Sequence, residues 1–483
     1  MPPWTGVLGP PLSFGHDPAS QRAGGLMAVA APIFEQSYRY LFPSAVDGDG
    51  AARRLRLATS GGAAPNPEFF RGRLLLPVVA SDLLLTIGDV ARARFHVPPA
   101  MLVRILQLAD PVATCADDRL RFESFSACCS VYGRADVLPD GFDGELVGRG
   151  TTNVDMGADL RAALAGVQDR GELGLAVGAS SLEVVAGGSS AVERKVPLPS
   201  RWIRGFLEVQ ATMAGLEPVA AVDGAGARAF LRSIPKSPPR GPVWVSQSGD
   251  GLRLAHHDAG RGSTPVAGLA RLRLFERAAR HATGLRLYAL PGEGSTGWLL
   301  DVPGGRLTIM LSPEVWRGFS GEGRALHRLA APAASIAAVR GALGWEPRLS
   351  VEDLVATTGQ PRADVEGSLA ALASSGIVGF DLADDGFFRR ELPFDLGRGE
   401  RLQPRLRAAR QLVERGAVRV EAGDATGLVA WVAGAGGVEY RVRSSDDGWS
   451  CTCPWYGRHR GDRGPCKHVI AVQLVATGPD DTG

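Results

Sequence analysis

Three stretches of the chain share one order of apolar and polar positions: a β-type run, a proline-marked turn, then apolar residues at helical spacing. They are ARARFHVPPAMLVRIL (91–106), VERKVPLPSRWIRGFL (192–207) and LTIMLSPEVWRGFSGE (307–322), which line up on Arg104, Arg204 and Arg317. The last two share Arg-Gly-Phe, as Arg204-Gly205-Phe206 and Arg317-Gly318-Phe319. Each reads as strand, turn and helix start, because proline in a first helical turn removes no hydrogen bond. Short β-type runs with glycine turns, such as LEVVAGG and GWLLDVPGG, come before. The pattern predicts repeated α+β units, with chance resemblance of common strand–proline–helix grammar as the competing explanation. Residues 27–231 would hold the first two units and 245–332 the third. The proline-rich RSIPKSPPRGPVW (232–244) would link them.

Residues 333–395 follow another grammar. AASIAAVRGALG reads as a helix, and SVEDLVATTG opens at Ser350 with Asp353 three residues on, a capping-box-like start. In QPRADVEGSLAALASSG, Val365, Leu369 and Leu372 share one helix face between Pro361 and Gly376. IVGFDLADDGFFRREL then reads as two strands around an Asp-Asp-Gly turn. Three helices and a hairpin predict a winged-helix-like domain. Its candidate recognition helix sets Arg362 against Asp364 and Glu366, while the wing carries Arg389 and Arg390. A connecting helix (396–420), basic and amphipathic, its arginines reading as a solvated face rather than a phosphate track, leads to GLVAWVAG, GVEYRVRSS and GWSCTCPW, three strands of a small β-meander within 421–478. Residues 1–26 read as a disordered leader, with Met27 as an alternative start, and 479–483 as a tail.

Charge narrows little, since 53 lysines and arginines face 51 acids. That balance announces neither a nucleic-acid nor a membrane surface. LLLPVVASDLLLTIGDVA (74–91), the most apolar stretch, has Asp82 at its middle, so no transmembrane helix is expected. Cys115, Cys128 and Cys129 lack metal-ligand spacing and read as buried reduced thiols, which points to the cell interior, the cytoplasm.

The other three cysteines fall inside CTCPWYGRHRGDRGPCKH (451–468). Cys451 and Cys453 form one close pair, Cys466 and His468 another. Two such pairs supply two edges of the tetrahedron that zinc requires, and thiolate with imidazole selects zinc over hard cations. Four protein ligands leave no open position, so one structural zinc ion is expected. His459 is the competing ligand. The intervening loop carries Arg458, Arg460, Arg463 and Lys467 beside Trp455 and Tyr456, a composition suited to phosphates and unpaired bases. Equally, the aromatics would pack a miniature core while the bases stay solvated or grip an acidic partner.

Cys-x-Cys-x(12)-Cys-x-His after a β-meander resembles the SWIM zinc finger shared by SWI2/SNF2 proteins and MuDR transposases. NPEFFRGR, RGTTNVD, VERKVPLPSRW, LSPEVWRGFSGEG and RRELPFD extend the resemblance to bacterial SWIM zinc-finger family proteins over most of the chain. The resemblance implies a multiprotein system with a MoxR-type AAA+ ATPase and von Willebrand factor A domain proteins, and a finger that binds DNA or proteins.

No phosphate-binding glycine loop, His-Glu-x-x-His or nucleophile elbow is present in the sequence. His256-His257 reads as a surface turn and RGTTNVD (149–155) as a turn network. The sequence therefore favours a non-enzymatic zinc-binding adaptor. A DNA-binding regulator using winged helix and finger together, and an enzyme with its site hidden in the N-terminal region, are the alternatives.

Overall fold

Pro77 opens helix α1 (Pro77–Arg92), whose apolar run is buried around nearly its whole circumference. The computed structural model describes residues 45–47, 52–57, 69–96, 111–116, 118–146, 148–153, 156–169, 172–177, 200–239, 241–260, 262–290, 294–316, 318–321, 323, 333–374, 376–390, 392, 404–424, 427–445, 448–461 and 463–476. All of these belong to one unit, Gln36–Gly483.

Helix α1 lies across an eight-stranded antiparallel sheet. Its strands are β4 (Val112–Ala116), β5 (Arg119–Phe125), β6 (Val131–Val137), β8 (Gly150–Asn153), β10 (Glu217–Asp223), β14 (Gly284–Ala289), β15 (Thr296–Val302) and β16 (Gly305–Leu311). They run in the order β10-β14-β15-β16-β6-β5-β4-β8. A five-stranded sheet, β1-β2-β9-β3-β7, adds β1 (Ala45–Asp47), β2 (Ala52–Leu57), β3 (Phe70–Leu74), β7 (Phe142–Leu146) and β9 (Glu172–Val177). Helix α2 (Ala158–Ala165) packs on α1. Helix α4 (Gly224–Ser233) and the three-stranded sheet β12-β11-β13 (Gly251–Ala255, Trp244–Ser248, Thr264–Pro265) stand at the β10 end.

Two expectations change here. Ala91 and Arg92 end α1, so the first repeat does not begin with a strand. In the third, β16 leads to a turn and a single 3-10 turn, Phe319–Gly321, while the second does enter helix α3 (Ser200–Met213). The three stretches therefore do not share one strand–turn–helix structure. Arg104, Arg317, residues 192–199, the leader with Met27, and the tail lie outside the described residues. The proline-rich 232–244 does not divide two bodies either. Strand β16 pairs with β6 and β10 with β14, so one sheet crosses it.

The large sheet is buried on both faces. Leu120, Phe122, Val131, Ala135, Leu307 and Ile309 meet Leu83, Leu84, Ile87 and Val90 of α1. Gly133 lets β6 approach the helix, because a Cβ there would sit 2.9 Å from Val90. The opposite face carries Arg121, Glu123, Arg134 and Asp136, each at 0% exposure. Burying such charges is costly unless each finds a partner. The partners come from the hairpin β17 (Val378–Asp381) and β18 (Gly386–Arg389) and from Arg390 just after it. Asp381 takes Arg121 at 2.9 Å and Arg134 at 2.8 Å, with Asp136 completing the array at 3.0 Å from Arg134. At the turn, Asp384 bridges Arg119 (2.5 Å) and Arg306 (2.8 Å).

The hairpin follows helices α5 (Ala333–Ala342), α6 (Val351–Thr358) and α7 (Arg362–Ser374). Ser350 caps α6, its Oγ accepting the Asp353 N–H at 3.1 Å, and Gly359 ends it at φ +65°. Leu349 forms an antiparallel bridge to Phe387. Helix α8 (Pro404–Glu414) then precedes a four-stranded meander: β19 (Val418–Asp424), β20 (Gly427–Ala433), β21 (Glu439–Ser445) and β22 (Gly448–Cys451). One strand, β19, stands in front of the three expected. Short helix α9 (Pro454–His459) and helix α10 (Lys467–Ala476) complete the chain, with α10 packed on α8. No described helix is long and apolar enough to cross a membrane.

Candidate metal centre

Period-two alternation in β21 turns Tyr440 and Val442 inward, and Val442 pairs with Cys451 at the end of β22. Pro454 then starts α9, leaving Cys453 at its N-cap, where the sulfur accepts the Tyr456 N–H at 3.4 Å. Cys466 stands just before α10 and its sulfur accepts the Val469 N–H at 3.5 Å. Two cysteines thus sit at helix N-termini, where N–H groups favour thiolate. His468 occupies the first turn of α10, its ring stacked on Tyr440 at 4.5 Å.

The ligand atoms of Cys451, Cys453, Cys466 and His468 all lie within 4.8 Å of one another, and all four residues are buried. Cys451 Sγ is 3.8 Å from His468 Nδ1. A zinc–sulfur bond of about 2.3 Å gives a tetrahedron edge of about 3.8 Å, so the cage has the right size. Cys451 and Cys466 hydrogen-bond to Cys453 and hold its thiol below the ordinary value, while the same contacts hold Cys451 above it. A single dication stabilises all three as thiolates, which protons shared among them do not. The donor set therefore fits one structural zinc ion with a closed shell.

His459 is outside this cage, with its ring 4.8 Å from Trp455. Trp455 and Tyr456 are half-buried against the finger's core, and the Tyr456 hydroxyl donates to Trp449 O at 2.9 Å. Arg463 turns inward, donating to Gly321 O at 3.4 Å. Arg458, Arg460 and Lys467 are exposed. Arg405 on α8, expected in a solvated face, instead donates to the carbonyls of Arg463 (2.6 Å) and Pro465 (2.9 Å) and lies over Trp455 at 4.8 Å. Burial pulls its pKa down to about 10. It fixes the loop immediately before Cys466, a role that basic composition alone does not mark.

The wing bases are corrected. Arg390 is fully buried, paired with Glu123 and over Phe206 at 4.7 Å. Burial opposes the Glu123 carboxylate, but Arg390 and the Tyr132 hydroxyl, at 2.6 Å, outweigh it and hold its pKa low. Arg389 donates to Leu343 O at 2.8 Å and covers Trp345 at 4.9 Å. A continuous positive face joining wing and zinc loop is therefore absent among the described residues.

In the N-terminal region, a cleft of about 480 Å3 lies between α1 and residues 269–281. Its charges are paired: Asp82 with Arg280 and His281, each at 2.7 Å, Asp89 with Arg277 at 3.5 Å, and Glu276 with Arg273 at 2.7 Å. The Asp82 and Asp89 pairs fasten the segment to α1.

The arrangement defines a zinc finger of the closed Cys3His type, built on a meander and a following helix. Residues 438–475 match the SWIM zinc finger family model, and this part of the chain is a SWIM zinc finger. No curated protein matches the chain. Among solved structures, Proliferating Cellular Nuclear Antigen from Entamoeba histolytica aligns with TM-score 0.32 and 10% identity, over 51% of this chain and 100% of that one. A chain of the PCNA2–PCNA3 complex from Sulfolobus tokodaii gives TM-score 0.32 and 8% identity, over 51% and 99%. At that score neither alignment bears on the architecture or role of this chain.

Proposed function

We propose that the chain is a non-enzymatic adaptor whose zinc-held segment 454–467 contacts a protein partner. The supporting observation is which bases remain free. Arg458, Arg460 and Lys467 are exposed without an ion pair among the described residues, whereas Arg390 is consumed internally. Exposed bases with no intramolecular partner contribute little to folding, which leaves them available for an acidic surface. The resemblance suggests a MoxR-type AAA+ ATPase with a von Willebrand factor A protein as that partner.

The order α5, α6, α7 and hairpin supports a winged-helix arrangement. Its candidate recognition helix speaks for packing, since Ser368 to Ala373 are all buried. Arg362 is tied to Glu352 at 2.6 Å and Glu366 at 2.8 Å. The turn that stays exposed offers that paired Arg362 beside Glu366, with Asp364 half-buried, a poor match for phosphates. The test is affinity purification from the native host with wild type and an Arg458→Ala/Arg460→Ala/Lys467→Ala variant. A partner retained by the wild type and lost by the variant supports the reading; identical partner sets for both refute it.

A further inference from the structure

The four-stranded meander has a second face, which the zinc centre does not use. Ala430, Val432, Val442 and Cys451 point inward to α8 and α10. Alternation therefore sends Val429, Trp431, Arg441, Arg443 and Ser450 to the other side. The register sets Arg419, Trp431 and Arg441 in one cross-strand row, continued by Thr452, whose backbone bonds to Arg441. Val429, Arg443 and Ser450 form the next row. Arg441, Arg443, Ser450 and Thr452 are exposed, and Trp431 is half-buried between them.

The charges on this face are unequal in availability. Arg419 is paired with Glu421 at 3.1 Å and lies 3.9 Å from Glu439. Arg441 and Arg443 have no ion pair among the described residues. Residues 404–476 carry eleven lysines and arginines against seven acids, in a chain that is otherwise slightly acidic.

We infer that this outer sheet face binds single-stranded nucleic acid. Two guanidiniums on one strand, unpaired among the described residues and about 7 Å apart by strand geometry, can each meet a phosphate. An indole between arginines offers a base a stacking surface, and the Ser450 and Thr452 hydroxyls can donate to phosphate or sugar oxygens. A flat sheet puts no helix or ribbon into a groove, so duplex is disfavoured. The surface is distinct from the zinc loop, so this inference goes beyond the adaptor reading and can fail without it.

The test is fluorescence anisotropy of the full zinc-loaded chain with fluorescein-labelled dT20, U20, a 20-base-pair duplex and a 20-residue poly-glutamate peptide. Expected is binding of dT20 or U20 more tightly than the duplex, with dT20 against U20 telling DNA from RNA. Arg441→Gln/Arg443→Gln should reduce the slope of log K against log salt by about 1.4, at about 0.7 per phosphate contact on a single strand. Trp431→Ala should weaken binding about 5- to 150-fold, the usual effect of losing one base–aromatic stack. Retained zinc in each variant certifies the fold, and the double glutamine variant serves should Trp431→Ala not fold. Wild-type affinity in the arginine variant overturns the inference, as does absence of oligonucleotide binding at 50 mM salt, or poly-glutamate bound as tightly as dT20. Loss confined to Arg458→Ala/Arg460→Ala moves the contact to the zinc loop and likewise overturns it.

Discussion

Replacing Asp381 by asparagine keeps its shape and removes one negative charge from a sealed array. In the native chain its carboxylate faces Arg121 at 2.9 Å, Arg134 at 2.8 Å and Arg119 at 3.4 Å, and accepts the Ala383 N–H at 2.9 Å. Arg121 and Arg134 are fully buried, so in Asp381→Asn they share Asp136 as their nearest remaining anion. Breaking a buried pair by removing one partner costs about 3–5 kcal/mol. At about 1.4 kcal/mol per tenfold, local opening should become some two to three and a half orders of magnitude more populated. Hydrogen exchange reads this directly, because the Phe380 N–H donates to the buried Gln210 Oε1 at 2.5 Å inside the docked hairpin. The pH dependence has a definite sign. Burial opposes the Asp381 charge, yet Arg134, Arg121 and Arg119 hold its pKa far below the ordinary carboxylate range. The stabilisation is therefore complete above the unfolded value of about 3.9 and is lost only as pH falls toward the depressed folded value. Wild type and variant should differ by a constant amount from pH 5 to 8. Exchange of Phe380 less than about fivefold faster in the variant, or a difference that changes across that range, would refute the reasoning.

Other substitutions test other parts of the fold. Cys466→Ser should lose zinc by elemental analysis and loosen α3 as well as the finger, because Leu207 belongs to the finger's core; one full equivalent of retained zinc contradicts the ligand assignment. In the wild type, zinc should be released as pH falls, since the thiolates must be protonated to let it go. Arg458→Ala/Arg460→Ala/Lys467→Ala should shift stability by less than about 0.5 kcal/mol, whereas Arg390→Ala, leaving Glu123 buried without its cation, should cost about 3 kcal/mol or more in urea unfolding. Gly318→Ala should lose at least about 2 kcal/mol, since Gly318 sits at φ +59° and a Cβ there would lie 2.4 Å from the Cys129 backbone.

Local patterns were legible and distant pairings were not. The zinc ligands could be read because the two members of each close pair are separated by a single residue and the meander and α10 are short-range structures. Ser350 and the Asp-Asp-Gly turn likewise act within a few residues. The alternating charges of RLRFESF (119–125) and VYGRADV (131–137), by contrast, have the look of a wetted sheet face. Their partners are Asp381, some 260 positions downstream of Arg121, and Arg390, 267 positions downstream of Glu123. Nothing near Arg390 in the sequence distinguishes it from a wing base. Arg405 was misread for the same reason, its carbonyl acceptors lying 58 and 60 residues away.

That separation constrains how the chain is made. When a ribosome has delivered β5 and β6, their charged face has neither the β16 neighbour at residues 305–311 nor the hairpin at 378–389. Arg134, whose guanidinium finally donates to Phe380 O across 246 positions, waits in water for most of synthesis. At roughly 5–20 residues per second, that interval is about 12–50 s. A chain truncated before residue 378 would keep Asp136 beside Arg121 and Arg134 but lack Asp381 and Arg390, leaving one anion for two arginines and Glu123 without its cation.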